Sequence, residues 1–147
     1  MTELADFARV AAGDHGLCVA STLRADDTIH SSLVNAGVLS HPTLGHEVAA
    51  FVAIGGSRKL THLRARPQAT LTARTGWDWA SVDGTVELIG PDDFFTGIDS
   101  EGLRLLLRAI FTAAGGTHDD WPTYDRVMAE ERRTAVLITP RRVYSNA

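Results

Sequence analysis

With one cysteine in 147 residues, Cys18, the chain has no internal disulfide to form, which points to a reducing compartment. No apolar stretch approaches membrane-spanning length, and Met1–Asp6 lacks the basic start and long apolar core of a secretory signal. A cytoplasmic protein with no membrane partner is expected. Excess positive charge is missing too. The net charge of −4 argues against a nucleic-acid binder, which carries a basic face. There is no repeat, low-complexity tract or linker, so residues 1–147 are expected to form one domain, long enough to bury a core. Neither Gly-x-x-x-x-Gly-Lys-Ser/Thr nor Gly-x-Gly-x-x-Gly occurs, which removes nucleoside-triphosphate chemistry. A Gly-x-Ser-x-Gly elbow is also lacking, and nothing assembles a Ser-His-Asp triad. His41, His46 and Glu47 show no metal-ligand spacing, and Pro42 and Gly45 make that segment a surface loop; no metal is expected.

What the chain does contain is mostly strand. Leu17–Leu23 and Ile29–Leu39 read as a hairpin around Asp26-Asp27, and Val48–Ile54 as a buried strand. Ala69–Arg74 and Trp77–Ile89 follow, joined by a Thr75-Gly76 turn, and Ala135–Thr139 continues past Pro140 through Arg141–Tyr144. Residues 3–12 form a short helix with Leu4, Phe7, Ala8 and Ala11 on one face. Leu103, Leu106, Leu107, Ile110, Phe111 and Ala114 recur at helical spacing up to Gly115-Gly116. A further helix starts near Asp119-Asp120 and turns Trp121, Tyr124, Val127 and Met128 inward. Strands in this order, with helices as plugs and insertions, predict a mainly β, small antiparallel barrel rather than βαβ units.

The segment Gly55–Pro67 carries the strongest functional signal. A buried strand meets two glycines, then Ser57 as an N-cap, then Arg58 and Lys59 in the first helical turn. Free N–H groups and the positive end of the helix dipole favour phosphate or carboxylate, and the cations reinforce them. No Asp or Glu occurs from Val48 to Trp77, where Arg58, Lys59, Arg64, Arg66 and Arg74 are cationic. A solvated basic face is the plain alternative; the glycine pair, which permits close backbone approach to a ligand, favours an anion site.

Trp77 and Trp79 share the otherwise polar face of their strand with Ser81, Asp83, Thr85 and Glu87, while Ala80, Val82, Gly84, Val86 and Leu88 face the barrel. The tryptophans are covered either by another part of the chain, or by a second subunit or a flat ligand. His15 reads as a turn residue, His30 as a pocket or hairpin residue, and Cys18 as an inert core thiol. An anion grip and aromatics without a nucleophile suit a cofactor that supplies the chemistry.

These residues resemble the pyridoxamine-5′-phosphate-oxidase-like split-barrel flavoproteins, and within them the actinobacterial branch that uses the deazaflavin coenzyme F420. The resemblance rests on Thr22-Leu23-Arg24-Ala25-Asp26, Arg58-Lys59 with Leu63-Arg64-x-x-Pro67, and Gly76-Trp77. It continues through Asp83-Gly84, Trp121-x-x-Tyr124, Arg132-Arg133 and Val143-Tyr144, over nearly the whole chain. It implies a split β-barrel homodimer with cofactor sites at the subunit interface. Arg58 and Lys59 would hold the phosphate; Ser31, Ser32, Ile54, Gly55 and Ser57 would line the same site, and Trp77 would approach from the partner. The implied activity is hydride transfer from reduced F420 to a conjugated or quinone-like small molecule. An FMN-dependent oxidoreductase, or a non-catalytic F420 carrier or sensor, is the alternative, and the family also holds haem binders. Relatives often place the first basic residue two positions before the lysine, where Ser57 stands here, and an Asn where this chain has His62.

Overall fold

The computed structural model describes Met1–Ala147. Six antiparallel strands form a closed barrel in the order β1-β2-β3-β6-β5-β4: β1 (Leu17–Leu23), β2 (Ile29–Ser40), β3 (Glu47–Ala53), β4 (Gln68–Thr75), β5 (Asp78–Ile89) and β6 (Thr134–Ser145). Four helices decorate it: α1 (Leu4–Ala12), α2 (Arg58–Ala65), α3 (Ser100–Ala113) and α4 (Trp121–Glu130). No helix is long and apolar enough to cross a membrane.

Two hydrophobic clusters explain the burial pattern. The barrel interior holds Ala20, Phe51, Leu71, Val82 and Ile138, plugged by Phe7, Val10 and Ala11 of α1 and by Leu60 and Leu63 of α2. The buried face of α1 thus uses Val10 where the sequence pattern selects Ala8. A second cluster lies outside the barrel, where Leu106, Leu107 and Ile110 of α3 and Tyr124 of α4 cover Val48, Ala50, Ala135 and Leu137. The middle strands β3 and β6 are therefore buried on both faces, which is why their sequences run apolar without alternation. Of the α4 residues expected to point inward, only Tyr124 is buried, and Trp121, Val127 and Met128 are half-buried.

Strand β2 changes partner halfway. Leu17–Leu23 pairs with Ile29–Asn35, while only Ala36–Ser40 pairs with β3. Residues 29–35 of β2 therefore have an open edge facing the end of β3. This is the split in the barrel.

Several expectations change in detail. Strand β5 begins at Asp78, which leaves Trp77 in the turn. The loop after β2 is not simply a surface loop: His41 is buried, its Nδ1 accepts from the Thr43 and Leu44 amides at 3.2 and 3.1 Å, and its Nε2 lies 2.9 Å from Glu87. A histidine so engaged ties the loop down rather than waiting for a metal. Cys18 is buried, and desolvation pushes its thiol up to about 12. Cys18 is expected to resist an aromatic disulfide reagent at pH 8 and to react only on denaturation; rapid native labelling would contradict this.

Asp125 of α4 clamps the two outer helices together, meeting Arg108 of α3 at 2.5 and 2.9 Å and Arg104 at 3.0 Å. Arg108, with Arg104 adding to it, holds the Asp125 carboxyl well below its ordinary 3.8, at about 2. A carboxylate depressed on folding stabilises fully above its unfolded value and loses that contribution as pH falls through the folded one. Melting temperature is expected to drop between pH 4 and 2 by more in the native chain than in Asp125→Asn. Equal slopes would remove Asp125 from the acid transition.

Candidate functional site

At the end of β3 the chain turns through Ile54-Gly55-Gly56-Ser57 into α2. Gly56 adopts φ +80°, a left-handed conformation that side chains resist, with open space where a Cβ would stand. Gly55 has a different reason to be glycine. A Cβ there would meet Arg132 Cβ at 2.7 Å, and its amide donates to the Glu131 carbonyl at 2.9 Å. It packs the turn against the α4–β6 connection and has no amide left for a ligand.

The amides of Gly56, Arg58 and Lys59 have no intramolecular acceptor, whereas Ser57 N–H donates to Ile54 and Leu60 N–H to Ser57. Ser57 occupies the N-cap position, but its side chain makes no capping bond, and the first turn of α2 holds no acidic residue. The dipole end is left uncompensated. Three buried side-chain atoms in the chain find no hydrogen-bond partner: His30 Nδ1, Ser32 Oγ and Ser57 Oγ. Extending the Ala36↔Phe51 register across the split sets Ser32 opposite Gly55, so serine and turn face each other over the open edge. Unpaired buried polar groups cost about 1–3 kcal/mol each, so their concentration at one edge marks a place where a polar ligand belongs.

The cations divide into three groups. Arg64 is taken up by a bidentate pair with Asp93, at 2.8 and 2.7 Å. Arg66 donates to the Leu23 carbonyl and Arg74 to the Gly76 carbonyl, so neither is matched by a carboxylate. Arg58 and Lys59 join no ion pair or side-chain hydrogen bond. Burial first, and Arg133 second, lower the pKa of Lys59. His62, with its Nδ1 3.0 Å from Thr22 Oγ1, is likewise lowered by burial, then by His30, Arg24, Arg66 and Arg58. Arg66, on the Leu23 carbonyl, and Arg24, on the Ile29 carbonyl, bring two further cations to the β1–β2 end of α2. An anion would offset the repulsion between these cations.

The remaining expected site residues are dispersed. Ser31 points the opposite way from Ser32, outward, with its Oγ 3.1 Å from Ser21 Oγ. Ile54 is half-exposed at the turn. Trp77 is 93 % exposed in the β4–β5 turn, beside the start of β1, whereas α2 lies at its far end. The seven residues of β1 separate them by about 20 Å, so one chain does not bring Trp77 to the cations. No other segment covers Trp77. It edges a shallow apolar groove of about 830 Å³ with Val19, Leu33 and Trp79, on the outer surface of β1, β2 and β4 beyond the end of α3, which covers the same face of β2 only from Gly37 onward. Arg133, Phe111 and Met128 were not legible as site residues; they converge beside the split only because α3 and α4 fold back onto β2 and β3.

No protein-family model matches the chain, and no curated protein matches it. Solved structures do. A conserved hypothetical protein from Mycobacterium tuberculosis aligns at TM-score 0.66 and 18% identity, over 99% of this chain and 84% of its own. A pyridoxamine 5′-phosphate oxidase-related, FMN binding protein from Nostoc punctiforme aligns at 0.63 and 12%, over 99% and 86%. A protein described as an F420 reductase aligns at 0.58 and 14%, over 87% and 88%. At these identities the likeness concerns fold: the chain has the FMN-binding split-barrel architecture.

Proposed function

We propose that this protein is an oxidoreductase that binds coenzyme F420 at the interface of a homodimer and passes hydride from the reduced deazaflavin to a conjugated or quinone-like small molecule. The observation that carries the reading is the pair of unpartnered cations, Arg58 and Lys59, on a helix start with free amides beside orphaned polar atoms. The residues fit a phosphate-bearing group. Arg58, Lys59 and the amides of Gly56, Arg58 and Lys59 would hold the phosphate, and Ser32 and Ser57 would take polar atoms of the cofactor across the split. When bound, a reduced deazaflavin supplies the hydride; the chain's part is to orient the ring and exclude water. The positive rim of Arg24, Arg58 and Arg66, none of which joins an ion pair although Asp26 lies near Arg24, favours a cofactor with an acidic tail over FMN, which ends at its phosphate. FMN remains the alternative for the same clamp, since the fold also occurs in an FMN binding protein.

A second copy of the chain completes the reading. The uncovered face with Val19, Ile29, Leu33 and Trp77 is the apolar surface such a partner would bury, and it would bring a partner's tryptophan toward the split. Leu33, 66 % exposed and paired with Val19 at the centre of that face, is the test position. Sedimentation is expected to give a dimer at micromolar concentration and a monomer for Leu33→Lys, with loss of cofactor affinity. A native monomer that binds cofactor would remove the interface site.

The function itself is tested by titrating apo-protein with F420 and with FMN at two salt concentrations, then screening acceptors with reduced cofactor. The expected result is F420 binding that weakens steeply with salt, and oxidation of reduced F420 by an acceptor. FMN binding without F420 binding would overturn the cofactor assignment. F420 binding without turnover across a broad panel would make the protein a carrier.

A further inference from the structure

Beside the split lies a cavity of about 390 Å³, between the end of α3, α4 and the facing edges of β2 and β3. Its walls are apolar and partly aromatic: Val52, Met128, and the rings of Phe111 and Tyr124, whose centroids lie 5.1 Å apart. The Tyr124 hydroxyl donates to the Leu107 carbonyl at 3.1 Å, so this residue offers the cavity its ring rather than its O–H. One fully charged side chain lines the space, Arg133, and no carboxylate does. Arg133 Nε donates to Glu131 at 2.9 Å, while both Nη groups are without a partner and the side chain is about three-quarters buried. Opposite, Asn35 donates through Nδ2 to the His15 carbonyl at 2.9 Å, which leaves its Oδ1 free. A largely buried guanidinium, paired with Glu131 through Nε but with a free Nη donor edge and set in an aromatic slot, is a receptor for a flat anion.

We propose that this cavity binds a planar aromatic or conjugated carboxylate, its ring against Phe111 and Tyr124 and its oxygens on the Nη groups of Arg133. Binding stands on the cavity alone. Calling its occupant the hydride acceptor rests on the proposed function: Gly55 of the clamp turn packs against Arg132 and donates to the Glu131 carbonyl, the residues just before Arg133, which places the cavity next to the phosphate clamp. In that role the ligand gains a hydride and a proton as the reduced cofactor loses both.

Calorimetric titration of the apo-protein with 2-naphthoate and with uncharged 2-naphthylmethanol tests the assignment. Naphthoate is expected to bind more tightly. Arg133→Gln should weaken naphthoate about tenfold or more while changing the alcohol less than about threefold, and Arg133→Lys should recover part of the loss. Met128→Trp should fill the slot and remove both ligands, with melting temperature and F420 or FMN affinity retained. Equal affinity for acid and alcohol, or no binding of either, would overturn the proposal. So would a Met128→Trp variant that loses cofactor as severely as naphthoate, because the cavity would then belong to the cofactor ring. Failure of the chain to bind F420 or FMN would sink the proposed function and leave the naphthoate result standing.

Discussion

Lys59→Ala is expected to weaken F420 binding about 10- to 100-fold, the loss of one charge-assisted contact of about 1.5–3 kcal/mol, without lowering the melting temperature. Both halves follow from the same geometry. Lys59 sits at the second position of α2, half-buried, with no carboxylate partner and with Arg133 close enough to oppose its charge. In the free protein its ammonium is held at a cost, so truncation removes a repulsion and leaves stability level or slightly raised. The same charge becomes favourable once a phosphate arrives to share it with the Arg58 side chain and the free amides. Titration of the variant with F420, alongside a thermal melt, reads the two effects separately. A fall of several degrees in melting temperature with unchanged affinity would return Lys59 to a structural role. A functional group held at the expense of stability is the usual sign of such clamps.

Gly37→Ala is expected to destabilise the fold by about 2–3 kcal/mol, at the upper end of what overpacking a buried contact costs. Gly37 of β2 is the place where the end of α3 lies directly on the barrel. A Cβ there would stand 2.3 Å from the Ala113 carbonyl carbon and 2.4 Å from its oxygen, which are backbone atoms that cannot swing aside. The last turn of α3 must lift, and with it Phe111, one wall of the cavity beside Arg133. Denaturant unfolding should show a lower midpoint at an unchanged slope, and naphthoate affinity should fall with it. An unchanged midpoint would mean that α3 is docked loosely, and the cavity would then lose its claim to a fixed shape. By contrast, Lys59→Ala touches the ligand without touching the packing.

Much of this molecule was legible before folding was considered. The strand boundaries at Leu17–Leu23 agree with the pattern to the residue, because alternation and the Asp26-Asp27 turn define both ends. The β5 start lies one residue beyond where the pattern sets it, because Trp77 has strand propensity but belongs to the turn that Gly76 dictates. At His41 the neighbours Pro42 and Gly45 signal a surface loop, and nothing local shows that Glu87, 46 residues away, closes over it. The glycine pair stands out in the sequence, yet only Gly56 is open toward solvent; Gly55 is required by the distant Arg132. Cationic residues in the acid-free stretch looked alike in sequence. Only the fold separates Arg64, held by Asp93, from Arg58 and Lys59, held by nothing.

The sequence by itself determined the kind of object this is: a mainly β barrel with a basic helix start after a glycine turn. Those features depend on residue type and short spacing, which hydrophobic period, turn chemistry and helix-end electrostatics translate directly into structure. Tertiary structure decided everything that depends on which distant groups meet. It split β2 between two partners, left three polar atoms unsatisfied at the open edge, and folded α3 and α4 back to place Arg133 beside an aromatic slot. It also put Trp77 at the opposite end of β1 from Lys59. Burial, pairing and enclosure are properties of contacts made across the chain, and the sequence carries no local trace of them.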